Sequence, residues 1–248
     1  MPLPFVAARG NRGGTFAAAP AAPAAEEETL LNTYSVSCDG TNDYVALGTG
    51  PNTAFNDNSG DFTVSIWFNF NANVSYDTLI SNGYQVQIYL LSGKIVTYLS
   101  KTAGASYFIS GAATDTTFSS GTWYHLGIIR SGTSFKYYVG GDEDSSHTGT
   151  GETYVSTFAL HVGMWSTSSY PFDGKVDEFG LWDTALTAEN MTDIYNGGVP
   201  TDLSSLSPLG WWRMGDDNGG SGTNMTDQGS GENDGTLTNG AAFGEDVP

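Results

Sequence analysis

The chain reads as an all-β protein, a β-sandwich with one short helix and an extended N-terminal arm, and three observations predict it. Residues 62–70 alternate strictly, Phe62, Val64, Ile66, Phe68 and Phe70 against Thr63, Ser65, Trp67 and Asn69, the period of a strand with one face in a core. Two pairs of runs flank short Gly-bearing turns as hairpins do, residues 84–91 and 94–99 around Ser92-Gly93, and residues 123–130 and 134–139 around Ser131-Gly132-Thr133. The composition, 33 Gly and 13% aromatic residues in 248, suits one large all-β domain with enough chain to bury a full sandwich core.

Taken in order, residues 1–29 stand apart. Phe5, Arg9, Arg12 and Phe16 are scattered among Gly, Pro and small apolar residues, followed by an Ala/Pro tract that ends in Glu26, Glu27 and Glu28. Such a segment builds no core of its own, so it is expected to be an extended arm that orders on a partner. Residues 30–248 are expected to form the sandwich. Near its end, residues 172–195 run a strand with at least one dry face, carrying Val176, Phe179, Leu181 and Trp182, into a short helix. Thr187 supplies an N-cap hydroxyl, Leu186 and Met191 a hydrophobic staple, and Gly197-Gly198 a stop. The Gly-rich C-terminal segment holds Trp211-Trp212. Two adjacent tryptophans carry too much apolar surface to leave in water, which predicts a strand completing the main body.

Charge narrows the partners. Eight Lys and Arg against 27 Asp and Glu give a net charge of −19, a surface that repels nucleic-acid phosphates. A single cysteine, Cys38, excludes an intrachain disulfide. No apolar run reaches the roughly 20 residues that span a bilayer, so no membrane partner is expected. Pro2, Pro4 and the polar stretch from Arg9 to Gly14 leave no continuous apolar core for a secretory signal.

Several ordered motifs carry a resemblance. FDGKVDEFGLWDTALTAENMTDIY at 172–195 resembles the closing strand and helix of the laminin-G-like, concanavalin-A-like jelly-roll family, whose members often read near FDGxIDEVRIWNRALSAEEI. YSVSCDGTNDYVALG at 34–48, DFTVSIWFN at 61–69, TLISNG at 78–83 and TWYHLGIIRSGTSFKYYVGG at 122–141 match other landmarks of the family in order. The tail from Leu209 resembles the segment that accompanies such domains in repetitive viral and bacterial surface proteins. The resemblance covers residues 34–248 and implies a jelly-roll sandwich of lectin-glucanase type. It is poorly specific for activity, since one fold hosts many functions. Cys38 departs from the pattern, where relatives usually carry a large apolar residue.

Jelly-roll hydrolases place catalytic carboxylates at alternate positions of one strand, in a pattern such as Glu-x-Asp-x-x-Glu. The nearest match here, Lys175, Asp177 and Gly180, lacks both outer carboxylates, and catalysis is not expected. Asp142, Glu143 and Asp144 read as a solvated loop, and His125, His147 and His161 show no metal-ligand spacing. Calcium is the more plausible chemistry, as a candidate cofactor. Asp39, Asn42 and Asp43 sit in the turn DGTNDY and Asp177 and Glu178 in the closing strand, and related folds often bring those strands together, which would gather oxygen ligands. The alternative reads Asp39-Gly40 as turn chemistry and gives Asp177 and Glu178 backbone or solvent partners. For a glycan, Trp67, Trp165 and Tyr170 are the candidate stacking residues, the last two in the loop GMWSTSSYPF. Exposed loop aromatics equally mark a protein interface.

The expected function is a non-enzymatic virion accessory, a capsid decoration or fibre-type protein on the outer surface. Its arm would be anchored to other virion proteins through Phe5, Arg9, Arg12 and Phe16, with the sandwich presented to host-surface glycans. A homo-oligomer, a trimer on viral geometry, would supply avidity. The alternatives are a free or cell-surface, extracellular carbohydrate-binding module and, third, a glycoside hydrolase acting through Asp177 or Glu178.

Overall fold

The computed structural model describes residues 1, 30–55, 61–72, 75–102, 106–150, 156–165 and 169–248. Phe5, Arg9, Arg12 and Phe16, the candidate contact residues of the arm, lie outside them. In chain order the strands are β1 (Ser35–Asp39), β2 (Tyr44–Ala46), β3 (Phe62–Phe70), β4 (Ser75–Ser81), β5 (Val86–Leu91), β6 (Lys94–Thr102), β7 (Ser106–Ala113) and β8 (Tyr124–Ser131). Then follow β9 (Ser134–Val139), β10 (Asp142–Thr148), β11 (His161–Val162), β12 (Asp173–Trp182), the helix α1 (Ala188–Tyr195), β13 (Gly210–Trp212), β14 (Asn224–Met225), β15 (Gly235–Thr238) and β16 (Ala242–Gly244).

The strands form two antiparallel sheets. The first runs β10-β9-β8-β3-β12-β1-β16, with β13 also paired to β12, and the second runs β14-β15-β2-β11-β4-β5-β6-β7. Between them lies one large core in which Phe62, Val64, Ile66, Phe68 and Phe70 of β3 meet Leu79, Val86, Ile88, Leu90, Ile95 and Leu99 of the facing sheet. This is the jelly-roll-like sandwich that the resemblance implies, with the β3 strand that the alternation predicts. The β5–β6 hairpin closes on Ser92 and Gly93, both at positive φ (53° and 76°), as a two-residue turn matched to the strand twist requires. Asp142, Glu143 and Asp144 are not a solvated loop. They begin the edge strand β10, paired to β9, and acidic side chains on an edge discourage pairing with another chain.

The alternation places one face of β3 in the core, and all nine of its residues are buried. The outer face of its sheet carries a third layer, made by α1 and the tail. Ile129, Tyr138, Trp182, Met191, Ile194, Leu203 and Trp211 form a second apolar cluster there. The helix is set by a reciprocal cap: Thr187 Oγ1 accepts from the Asn190 backbone N–H (3.1 Å), and the Asn190 side chain accepts from the Thr187 N–H (3.1 Å). Asn196, in the left-handed region, ends it. No helix among the described residues is long and apolar enough to cross a membrane.

Candidate functional site

The face of β4, β5 and β6 that points away from the core carries the candidate site. In β5, Val86, Ile88 and Leu90 point into the core, so the pleat sends Gln87 and Tyr89 outward. On β6, Tyr98 is outward opposite Gln87, and β7 adds Tyr107. The tyrosines of successive strands are diagonal neighbours and pack as a rail. Ring centroids are 5.2 Å apart for Tyr76 and Tyr89, 5.9 Å for Tyr89 and Tyr98 with planes only 14° apart, and 5.3 Å for Tyr98 and Tyr107. Burial, then its contact with Tyr98, holds the Tyr89 phenol above its usual range.

The loop after β11 closes one end of this rail. Trp165 pairs with Ser169 by a backbone bond of 3.1 Å, and its indole N–H donates to the Gly83 carbonyl at 2.7 Å. The Tyr170 carbonyl accepts from the Thr78 N–H at 3.2 Å, tying the loop to β4. Tyr170 then lies 5.5 Å from Trp165 and 5.1 Å from Tyr76, centroid to centroid. Together Tyr76, Thr78, Gln87, Tyr89, Trp165 and Tyr170 line a cup of about 230 Å³. Two rim residues sit in the left-handed region of backbone space, Tyr76 at φ 66° and Tyr170 at φ 53°. Large side chains avoid that region, and residues held there cluster at ligand sites. The cup presents aromatic surface, two neutral polar side chains and phenol hydroxyls, the means by which a protein stacks on an apolar ring face and hydrogen-bonds its edge.

Trp165 and Tyr170 therefore fall together, and Trp67 does not join them. Trp67 is 3% exposed on the opposite sheet, stacked on Tyr195 of α1 at 5.7 Å and near His125 at 5.2 Å. Its place as a stacking platform is corrected, because the helix covers the face that alternation alone leaves open. Tyr76, Thr78, Gln87 and Tyr89 were missed. For Gln87 and Tyr89 the signal is the outward parity of β5, where they alternate with the core set; in β4 the register shifts at Tyr76 and Leu79 break the alternation and hide Tyr76 and Thr78.

The five candidate metal ligands are also separated. Strands β1 and β12 pair, but Asp39 lies opposite Asp173 and Val36 opposite Val176, so Asp177 sits four positions, about 13 Å, along the strand. In the turn, Asp39 accepts from the Thr41 N–H (2.8 Å) and Asp43 from the Asp39 N–H (3.1 Å), while the Asn42 carbonyl accepts from the Asn239 amide (2.7 Å). Burial raises the Asp43 carboxyl above its usual range, and burial with Asp43, Asp39 and Asp173 nearby pushes the Cys38 thiol up to about 12. Among the described residues no group of three or more His, Cys, Asp or Glu is arranged to hold a metal.

Asp177 and Glu178 belong instead to a buried clamp. The register of β12 against β3 shifts between Asp177 and Gly180; at this bulge, with Glu178 at φ 44°, Glu178 meets the tail and Asp177 meets Asn32, just before β1. Glu178 accepts from the Trp211 indole (2.6 Å) and from Arg213 Nε (3.1 Å). Arg213 Nη2 also donates to Asp216 (3.0 Å) and to the Leu31 carbonyl (2.7 Å), and Asn32 donates to Asp177 (3.0 Å). Burial pushes Glu178 up to about 7 against the pull of Arg213, and burial with the adjacent Glu178 raises Asp177 well above the carboxylate range. The pair lies under the chain, not across a groove, so it is misplaced for the hydrolytic role. His125, 1% exposed, contacts Ser65 Oγ at 2.9 Å, and burial lowers its pKa to about 3, keeping it neutral.

The model of the concanavalin A-like lectin/glucanases superfamily matches residues 39–192. No curated protein matches the chain. Among solved structures, a Bacteroides ovatus protein described as a candidate carbohydrate binder is 16% identical with a TM-score of 0.64, over 88% of this chain and 62% of its own length. The Ruminococcus gnavus IT-sialidase CBM40, bound to α2,3-sialyllactose, is 12% identical with a TM-score of 0.54, over 67% of this chain and 99% of that one. Domain 4 of the GH43 extracellular arabinanase AbnA from Geobacillus stearothermophilus, in complex with arabinotriose, is 18% identical with a TM-score of 0.50, over 65% and 87%. This chain thus spans less than two thirds of the Bacteroides protein, and at these identities the likeness concerns the fold.

Proposed function

The chain belongs to the concanavalin A-like lectin/glucanases superfamily, and on that premise we propose that it is a non-enzymatic carbohydrate-binding module whose site is the aromatic cup of β4, β5 and the loop after β11. The observation that carries this is the meeting of Trp165, Tyr170, Tyr76 and Tyr89 around Thr78 and Gln87, with Tyr76 and Tyr170 exposed at the rim. The fold is shared with a sialidase module bound to sialyllactose and an arabinanase domain bound to arabinotriose, which supports a sugar as the occupant. A glycan array probed with the full chain tests it. Binding to at least one glycan, reduced tenfold or more in Trp165→Ala and Tyr170→Ala, is expected; binding unchanged in both would remove the cup from the function. Repeating the array with chelator reads any contribution of calcium.

A more specific reading, a virion decoration or fibre-type protein, is favoured by the arm. Its Ala/Pro-rich composition and its two arginines, in a chain otherwise of strongly negative charge, suit a tether that orders on a partner. Deleting residues 2–29 is expected to leave the sandwich folded and to release the protein from particles. Particles that keep the truncated chain would overturn the anchoring role.

A further inference from the structure

We infer that the cup selects neutral sugars and excludes acidic ones, an inference that rests on the carbohydrate-binding reading above. None of the six lining residues is charged: Tyr76, Thr78, Gln87, Tyr89, Trp165 and Tyr170 offer rings, hydroxyls and one amide. The acidic neighbour in β4, Asp77, is fully buried and does not line the cup.

The described cations are committed elsewhere. Lys94 donates to the Thr114 and Asp115 carbonyls, Lys101 to Thr150, Lys136 to Glu143 and Lys175 to Asp246. Arg130 donates to the Gly132 carbonyl and lies 3.8 Å over the Phe108 ring, and Arg213 is held in the buried clamp. A sialic acid, uronate or sulfate entering the cup would lose water around its charge and find only dipoles in exchange, which is unfavourable. The field of a chain carrying −19 opposes the same ligand before contact. A neutral pyranose loses nothing comparable. Its apolar face can lie on Tyr170 or Trp165 while its hydroxyls reach Thr78, Gln87 and the Tyr89 phenol. The volume, about 230 Å³, is below the roughly 300–1,000 Å³ of sites that enclose a drug-sized ligand, and fits one sugar ring.

Saturation-transfer NMR and calorimetry on the full chain test this with matched pairs. The probes are neutral oligosaccharides of galactose, glucose, mannose and N-acetylglucosamine and their sialylated, uronic or sulfated counterparts. Neutral members are expected to bind, their acidic partners at least tenfold more weakly, with both signals lost in Tyr170→Ala. Gln87→Lys, which adds a cation to the cup wall, is expected to narrow that ratio several-fold. Acidic members that bind as well as or better than neutral ones, with loss in Tyr170→Ala, would overturn the selectivity and leave the carbohydrate site standing. Neutral binding indifferent to Tyr170→Ala would place selection outside the cup and overturn the inference. No binding by either class would sink the carbohydrate-binding reading and the inference together.

Discussion

On the sheet of β3, β8 and β12 the outward aromatics Trp67, Tyr138 and Trp182 lie under α1 and the tail, at 3%, 3% and 1% exposure. On the sheet of β4 to β7 the outward aromatics Tyr76, Tyr89, Tyr98 and Tyr107 pack against one another and the loop of Trp165 and Tyr170; Tyr89 is 7% exposed at the floor, while the rim residues Tyr76 and Tyr170 keep 40% and 46% of their surface. Both faces are built by the same device, a pleat that sends one large ring outward per strand. The first spends that surface on its own chain, as a structural layer with a capped helix for a lid. The second leaves its rim in water, at Tyr76 and Tyr170, on backbone held in a conformation that large residues avoid. A covered aromatic face answers to stability, and the exposed rim is the surface the proposed function uses.

The comparison breaks most visibly at Trp182. Its indole N–H donates to the Leu206 carbonyl at 3.0 Å while its rings fill the second cluster. Trp182→Ala is expected to lower unfolding free energy by about 3–5 kcal/mol, read from urea midpoints, and to leave sugar affinity of the folded fraction unchanged. A loss of affinity at constant fold would show that the two faces are coupled and that the division between them is wrong.

The next effect is one of pH. Glu178 is held up to about 7 from an ordinary 4.5, first by burial, with Arg213 and Trp211 pulling the other way. Between those values the folded chain keeps a proton that the unfolded chain has released. Stability therefore falls as pH rises from about 4.5 to about 7 and levels off above it, by an amount on the order of 3 kcal/mol at ~1.4 kcal/mol per unit. Asp177 and Asp216, also raised by burial, act in the same direction. Urea midpoints at pH 5 and pH 8 are expected to show the acid form more stable, and Glu178→Gln to flatten the difference. A chain more stable at pH 8 would mean that Arg213 outweighs burial in the clamp.

How much of this was legible in the sequence depended on range. The alternation of Phe62 to Phe70, the turn at Ser92-Gly93 and the cap at Thr187 are local, and the β-sandwich with its short helix follows from them. Trp67 was misread because a period of two says which residues share a face but not what covers that face, and α1 arrives from more than 100 residues away. Asp39 and Asp177 were grouped because the opening and closing strands meet. Pairing alone does not fix register, and here it sets Asp39 against Asp173. The cup was half visible. Its loop residues Trp165 and Tyr170 stand out as aromatics among Ser and Thr, whereas Tyr76 and Tyr89 look like ordinary strand residues until the strands β4 and β5 are placed side by side.

The smallest expected effect on stability is the most informative about the uncovered face. Tyr170 sits at φ 53°, where a bulky residue is strained by roughly 1–2 kcal/mol and Asn is not. Its ring contacts with Tyr76 and Trp165 are worth about 0.5–1.5 kcal/mol each, less when half exposed. The two contributions nearly cancel. Tyr170→Asn is expected to shift the urea midpoint by less than about 1 kcal/mol equivalent, while sugar binding falls tenfold or more on the same preparation. A loss of several kcal/mol instead would make Tyr170 a packing residue like Trp182, its left-handed backbone imposed by the fold, and the contrast between the two faces would no longer mark where a ligand binds.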